Sequence, residues 1–458
     1  MQGGQHIMNI LIVGGGMVGG TICAQLAQEG HDITLVDTDV NTLTELSNRY
    51  DVFGVVGNGA SVSVLKKANA DKADLTVAVT SQDEVNILCC AAAKKLGTRH
   101  TIARVRNPEY SELTSLMKSE MNLSLTINPE LSVAKEIYRI LRFPSATKID
   151  SVCRGRVELA EFSVNNDSPL CGVTLNDLRN KLNIRFLVCA VLRNGNAYIP
   201  SGFFKIEAGD TICFTAPDEE ITHFFKEVGA YKRPVKDVRI GGAGRTTYYL
   251  EALLKHAKIH STVIDPDKEK CRALAEEYSC SVVCNDGTKQ DVLLEEGIEK
   301  TDAFLALSSG DEENAIISMY AKTQNTHKII TMISTIPYIE LFKGVGLDSI
   351  VSPKSSTASS ILHYVRSMAD AQGAEMESLH KLMDDKVEAL EFIIKKDMED
   401  FTGIPLKELK LRQGVLIACI VHDGKIIIPS GNDMITCGDT VIIITTEGQI
   451  KGIKEILK

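Results

Sequence analysis

The chain has 458 residues, 44% of them hydrophobic, and a formal net charge of −10. That length predicts about three domains, with two to four plausible, and the apolar content suffices for buried cores. An acidic balance with no long basic run or basic–aromatic cluster argues against nucleic acid as the main partner. No apolar run nears the roughly 18 residues of a membrane span, and no signal peptide is visible. A soluble protein is therefore expected, one still free to dock on a membrane protein.

Met1 to Ile7 reads as a remnant ahead of a native start at Met8 and is left out of the fold. Ile10-Leu11-Ile12-Val13 is an uninterrupted apolar run, the pattern of a parallel strand covered on both faces. Gly14-Gly15-Gly16-Met17-Val18-Gly19 follows at once, then a helical stretch from Val18 to Glu29 closed by Gly30, and a second strand, Ile33 to Val36, ending on Asp37 and Thr38. Asp37 lies 23 residues after Gly14, against an expected separation of about 20 in a dinucleotide-binding turn. Each part has a physical job. Gly14 allows a tight turn, Gly16 lets a pyrophosphate approach the backbone, and Gly19 lets helix and strand pack closely. The helix start offers free N–H groups and a partial positive charge. Asp37 accepts hydrogen bonds from both ribose hydroxyls and repels a 2′-phosphate, which disfavours NADP.

A helix is expected from Asn41 to Arg49, a strand from Val52 to Val56, then Gly57-Asn58-Gly59-Ala60-Ser61 and a helix carrying Val64 and Leu65. The strand Leu75 to Thr80 leads through Asp83-Glu84-Val85-Asn86 into a helix ending at Leu96. The strand Thr101 to Val105 carries Arg104. A helix near Pro108 to Met117 and a strand near Leu125 to Ile127 complete an open parallel sheet of about six strands. Pro129 starts a helix to Leu141, since proline is well tolerated in the first helical turn. From Val157 to Val228 the texture becomes that of a small α+β lobe. It has strands Leu159–Val164, Phe186–Leu192 and Thr211–Thr215, a hairpin at Asn194-Gly195 and a closing helix from Glu219 to Val228. Lys232-Arg233-Pro234 reads as a linker.

The chain then starts again. Gly14, Gly16, Asp37, Asn58, Asp83, Glu84 and Asn86 correspond to Gly242, Gly244, Asp265, Asp286, Asp311, Glu312 and Asn314, every pair 228 residues apart. In the small lobe, Pro200-Ser201-Gly202 returns as Pro429-Ser430-Gly431 and Gly209-Asp210-Thr211 as Gly438-Asp439-Thr440, both 229 apart. A constant offset over so many matches is a tandem duplication of a two-part unit. The second unit departs in two places. Thr247 replaces the third glycine, which should loosen helix–strand packing, and Met332 stands where the first unit has Arg104. The 12 cysteines are scattered through strands and helices, as buried thiols of a reducing compartment would be.

These residues resemble a known family. The glycine turn, Val36-Asp37-Thr38-Asp39, Gly57-Asn58-Gly59-Ala60, Ala78-Val79-Thr80 with Asp83-Glu84-Val85-Asn86, and Ala103-Arg104-Val105 look like a KTN/RCK nucleotide-binding domain. The small lobe resembles the RCK C-terminal, or TrkA-C, domain. The expected fold is α/β: two Rossmann-like parallel-sheet domains, residues 8–127 and 236–352, each followed by a small α+β domain, residues 150–230 and 375–458. The resemblance implies that Gly14, Gly16 and Gly19 face phosphates and that Asp37 holds the ribose, with Met17, Val18 and Thr38 also among the nucleotide-binding residues. It places Asn58 at the adenosine end, with Gly59 also binding nucleotide, Thr80 and Glu84 along the far side, and Arg104 toward phosphate. In the second unit the matching set is Gly242, Gly244, Arg245, Asp265 and Asp286, with a different preference or no ligand expected. The implied ligands are NAD(H) and ATP or ADP. The implied partner is a membrane-embedded potassium transporter (TrkH/TrkG-like), held from the cytoplasmic face by a homotetrameric ring. The helices Pro129 to Leu141 and Ser355 to Arg366 are expected to cross over between protomers.

Three classes of function are compatible with a doubled cradle. An NAD-dependent oxidoreductase needs an acid/base residue over the nicotinamide, and no histidine recurs across the repeat to supply one. A passive ring subunit with vestigial sites is opposed by the intact first glycine turn and Asp37. A sensor needs only binding that differs between two shapes, and this is the reading the sequence favours, with no catalysis.

Overall fold

The computed structural model describes residues 7–458 apart from 111–122, 154–155, 183, 348, 370–373, 384–385, 397, 447–449 and 451. The first unit contains β1 (Asn9–Val13), α1 (Met17–Gln28), β2 (Asp32–Asp37), α2 (Val40–Arg49), β3 (Phe53–Val56), α3 (Val62–Lys67), β4 (Leu75–Ala78), α4 (Asp83–Leu96), β5 (His100–Arg104) and β6 (Leu125–Ile127). Its strands form one sheet in the order β3-β2-β1-β4-β5-β6, parallel throughout. The apolar run of β1 is explained by its two covers. Ile10 and Ile12 are buried with Ile22 and Leu26 of α1, and Leu11 and Val13 with Ile87 and Cys90 of α4. The strand order reverses between β1 and β4, which puts a crevice at their carboxyl ends. Of the helix expected at Pro108–Met117, Pro108–Tyr110 is a single 3-10 turn, and Ser111–Met117 lies outside the described residues.

Helix α5 (Pro129–Arg142) leads to the first small lobe: β7 (Lys148–Val152), β8 (Val157–Ser163), α6 (Leu175–Lys181), β9 (Leu187–Arg193), β10 (Asn196–Tyr198), β11 (Thr211–Ala216) and α7 (Asp218–Glu227). Its sheet is antiparallel, in the order β10-β9-β11-β8-β7. The expected hairpin turns on Asn194 and Gly195, with φ of 50° and 75°. Neither β7 nor α6 is legible in the sequence. The polar Lys148-Ile149-Asp150-Ser151 hides an edge strand, and α6 is short, set by Thr174 accepting a hydrogen bond from the Asp177 N–H at 3.2 Å.

The plan then repeats. The second nucleotide lobe has β12 (Asp237–Gly241), α8 (Arg245–Ala257), β13 (His260–Ile264), α9 (Lys268–Glu277), β14 (Ser281–Val283), α10 (Gln290–Glu295), β15 (Ala303–Ala306), α11 (Asp311–Thr323), β16 (Lys328–Met332), α12 (Ile336–Gly344) and β17 (Ile350–Val351). Its order, β14-β13-β12-β15-β16-β17, matches the first sheet strand for strand. Helix α13 (Pro353–Ala369) precedes the second small sheet of β18 (Ala374–Leu382), β19 (Val387–Ile394), β20 (Val415–His422), β21 (Lys425–Ile427) and β22 (Thr440–Thr445), ordered β18-β19-β22-β20-β21.

The connecting helices cross over between the two halves of the chain. Val133, Ala134, Ile137, Ile140 and Leu141 of α5 are buried in the core of the second nucleotide lobe, with Val238, Ile240, Leu250 and Leu254. Ala358, Ile361, Leu362 and Val365 of α13 are buried in the core of the first, with Ile10, Ile12, Ile22 and Leu26. Polar contacts follow the exchange. Asn128 Nδ2 donates to Tyr249 OH at 2.7 Å, and His100 Nδ1 lies 3.0 Å from Tyr364 OH. The small lobes also join through one apolar cluster containing Leu159, Cys189 and Cys213 with Leu382, Ala389 and Cys419. Two reciprocal hydrogen bonds flank it: the Met383 N–H donates to Glu161 Oε1 at 2.8 Å, and the Cys153 N–H donates to Glu391 Oε2 at 3.1 Å. The chain is thus a pseudo-symmetric pair of units, each completing the other's core.

Candidate functional site

The crevice of the first lobe is a cavity of about 570 Å³, lined by Gly14, Gly16, Met17, Val18, Asp37, Thr38, Asn58, Gly59, Thr80, Arg104 and, unexpectedly, Lys354 among others. Gly14 leaves β1 with φ +103°, and a Cβ there would stand 2.9 Å from the Thr80 nitrogen. A Cβ on Gly19 would stand 1.8 Å from the Gly14 carbonyl oxygen. Gly19 therefore sits beneath the cleft and lets α1 close against the turn. Gly16 is the N-cap of α1 with no side-chain cap, so the first N–H groups of a 12-residue helix remain open to an anion.

Asp37 ends β2 with both carboxylate oxygens already oriented. The Gly15 N–H donates to Oδ2 at 2.6 Å and the Asp39 N–H to Oδ1 at 2.8 Å. Each oxygen keeps a further lone pair for a ribose hydroxyl. Asn58 shapes its own loop, Oδ1 accepting from the Ala60 N–H at 2.9 Å. Thr80 is held by Asn86, whose Oδ1 accepts from both the Thr80 N–H and hydroxyl at 2.8 Å, while its Nδ2 reaches the Arg104 carbonyl at 2.9 Å.

Arg104 Nη2 donates to the Thr80 carbonyl at 2.6 Å, which aims the guanidinium along the crevice. Its Nε is buried without a hydrogen-bond partner. Burial, with Arg106 nearby, pushes its pKa down to about 10, still charged at neutral pH. A buried cationic donor with an unused N–H beside an uncapped helix start is chemistry that a phosphate satisfies. The donors and Asp37 together fit the phosphate and ribose of a nucleotide.

Glu84 departs from the expectation. It is exposed and away from the cavity lining, with Oε1 accepting from Tyr110 OH at 2.5 Å. That bond holds its carboxyl below the usual range. The neighbouring acid, Asp83, is buried and structural, accepting from the Arg106 and Asn107 N–H groups at 2.7 and 2.8 Å. Sequence spacing located this turn but not which of its side chains face the crevice.

The second cradle repeats the scaffold. Gly242 has φ +111°, Asp265 accepts from the Ala243 and Asp267 N–H groups at 2.7 and 2.8 Å, and Asn314 bridges Ser308 and the Met332 carbonyl. Asp286 is engaged by Thr288, its Oδ1 accepting from that residue's N–H and hydroxyl at 3.0 and 2.7 Å. Gly244 is again an uncapped helix start, followed by Arg245. Thr247 is fully buried, and its hydroxyl donates to the Gly242 carbonyl at 2.6 Å. Where Gly19 permits contact, Thr247 spans the gap with a hydrogen bond. Arg245 is exposed, and its charge acts on Glu84, Arg104 and Glu130, so it stands toward the junction of the two lobes. Lys354 is the residue that sequence reasoning missed. It belongs to no motif and comes from α13, distant in the chain.

Comparison with known proteins agrees with this architecture. The TrkA-N domain matches residues 10–124 and 238–353, and the TrkA-C domain residues 159–229 and 390–458. The Trk system potassium uptake protein TrkA homolog of Archaeoglobus fulgidus is 31% identical over 453 residues, 98% of this chain and 100% of that protein. The Trk system potassium uptake protein TrkA of Halomonas elongata is 32% identical over 446 residues, 96% of each. Among solved structures, the GsuK channel bound to NAD aligns with a TM-score of 0.63 at 18% identity, over 98% of this chain and 79% of that one. The GsuK RCK domain gives the same TM-score at 17% identity, over 98% and 95%. These two likenesses are of fold. With both domain types present twice, in alternation and over nearly the whole length, the chain belongs to the TrkA family.

Proposed function

We propose that this chain is a non-catalytic regulatory subunit that senses adenine nucleotides and gates a Trk-type potassium transporter. NAD(H) and ATP or ADP would compete for the first cradle, and their differential affinity for two arrangements of the lobes would set transport. The observation that carries the reading is the first crevice. An uncapped helix start, the half-committed carboxylate of Asp37 and the orphan Nε of Arg104 converge there. The potassium connection rests on the names of the relatives.

Ring assembly into a homotetramer at the inner face of the membrane, beneath a TrkH/TrkG-like transporter, is part of the proposal. No described helix is long and apolar enough to cross a membrane, so the attachment is peripheral. Ile316 and Met319 of α11, Leu341 of α12 and Val345 just after it leave exposed apolar side chains on the second lobe, with Ile316 65% exposed and Leu341 60%. A patch of this kind suits self-association.

Thermal unfolding of the full chain tests the reading. NADH, ATP and ADP at 100 times their dissociation constants should each stabilise it by about 2.7 kcal/mol. The transporter should co-purify with the chain to different extents with and without ATP. Hydride transfer to or from any hydroxy acid or aldehyde would instead favour an NAD-dependent oxidoreductase.

A further inference from the structure

Lys354 is the second residue of α13, the helix that leaves the second nucleotide lobe for the second small lobe. Its side chain nevertheless lines the first crevice beside Gly16, Met17 and Arg104. There Nζ donates to Met17 Sδ at 2.9 Å. A thioether is a weak acceptor for a group with three charged N–H donors. Among the described residues no carboxylate lies within ion-pair distance of it. Asp311 acts on it only from further off, Arg104 repels it, and burial depresses its pKa below the ordinary lysine value.

Three local costs meet at this residue. A cation at a helix N-terminus opposes the helix dipole, it faces the like charge of Arg104, and it is half-buried against sulfur. Helix geometry does not demand it, because the equivalent second position of α5 is Glu130, the sign the dipole prefers. The crevice then holds three positive features, the start of α1, Arg104 and Lys354, with one bound anion able to relieve all three.

We propose that Lys354 reads phosphate charge in the first cradle. It contacts the polyphosphate of a bound adenine nucleotide, raises affinity in proportion to phosphate charge, and thereby ties nucleotide state to α13 and the small lobe that follows it. The inference rests on nucleotide binding at this cradle and names its specificity residue.

Calorimetric titration of the full chain with adenosine, AMP, ADP and ATP tests it, on wild type, Lys354→Gln and Lys354→Arg, with circular dichroism to confirm folding. In Lys354→Gln, ATP affinity falls about tenfold, the size of one lost charge-assisted hydrogen bond. The ATP-to-AMP ratio narrows by a similar factor, adenosine is unaffected, and the dependence of ATP binding on salt becomes shallower. Lys354→Arg restores most of the ratio. Equal weakening of all four ligands would show a purely structural role in α13 and overturn the inference, as would an unchanged ratio. Wild-type protein that binds none of the four would overturn the nucleotide reading itself, a different result from either.

Discussion

The two nucleotide lobes share a scaffold and differ in charge. Asp37 and Asp265 make the same pair of backbone bonds, Asn86 and Asn314 bridge the same two segments, and Asp83 and Asp311 pin the same turn. What lines the first crevice does not repeat. The first cradle has Met17, Arg104 and Lys354; at the corresponding places the second has Arg245, Met332 and Glu130. Glu130 lies in the field of Arg104, Arg106 and Arg245, yet burial raises its carboxyl pKa, and its Oε2 has no hydrogen-bond partner. The duplication kept the residues that hold the backbone and changed those that line the first crevice.

The largest test of this comparison concerns what the copies do for each other. Ile361→Ala and Ile137→Ala each empty a buried site in the partner lobe's core, and each should cost about 2–5 kcal/mol. Urea unfolding of the two variants should give similar losses. A much smaller cost for one would mean that the exchange is not reciprocal. Next in size is the third glycine of the turn. Gly19→Thr brings a Cβ to 1.8 Å from the Gly14 carbonyl oxygen, so α1 must move and nucleotide binding should be lost, with about 1–3 kcal/mol of stability. Thr247→Gly removes one buried hydrogen bond and should cost about 1 kcal/mol. Denaturation read beside NADH titration separates the two. Smaller again is Arg104→Met, which gives the first cradle the second's residue. It removes the donor to the Thr80 carbonyl and should lower ATP affinity about tenfold while sparing adenosine. Calorimetry checks both ligands.

The parts legible in sequence are those whose cause is local. A strand covered on both faces must be apolar throughout, so β1 announces the sheet, and glycine spacing announces the crevice because a turn this tight admits little else. The constant offset announces the duplication. The exchange of α5 and α13 is not local. The apolar face of Pro129–Leu141 says that the helix is buried, but either lobe would serve as the cover, since the two are copies. Lys354 is hidden for the same reason, as its role exists only once α13 has crossed to the other lobe. Glu84 fails differently. It sits one residue from the buried Asp83 in the first turn of α4, where successive side chains point about 100° apart, so the motif fixes the helix start and leaves the direction of each side chain open.

The small lobes carry a counterpart of the same contrast, with the smallest expected effect. Arg193 forks Asp210 in the first, Nε to Oδ1 at 2.7 Å and Nη2 to Oδ2 at 2.8 Å. At the matching position in the second, His422 Nδ1 lies 2.5 Å from Asp439 Oδ1, with the Thr436 hydroxyl at 3.3 Å. The arginine pair is charged at every physiological pH; the histidine pair is not. The hydrogen bond to Asp439, then its charge, then that of Asp423, outweigh the opposing effects of desolvation and Lys425 and raise the His422 pKa above the ordinary histidine value of 6.5. A group whose folded pKa is raised contributes stability that is fully present below its unfolded pKa and is lost as pH climbs through the folded one. The second small lobe should therefore weaken slightly from just below neutrality upward, while the first does not respond. His422→Arg should abolish that slope and Arg193→His should create one in the first lobe, both read as the pH dependence of the unfolding midpoint. A wild-type slope that survives His422→Arg unchanged would locate the titrating group elsewhere.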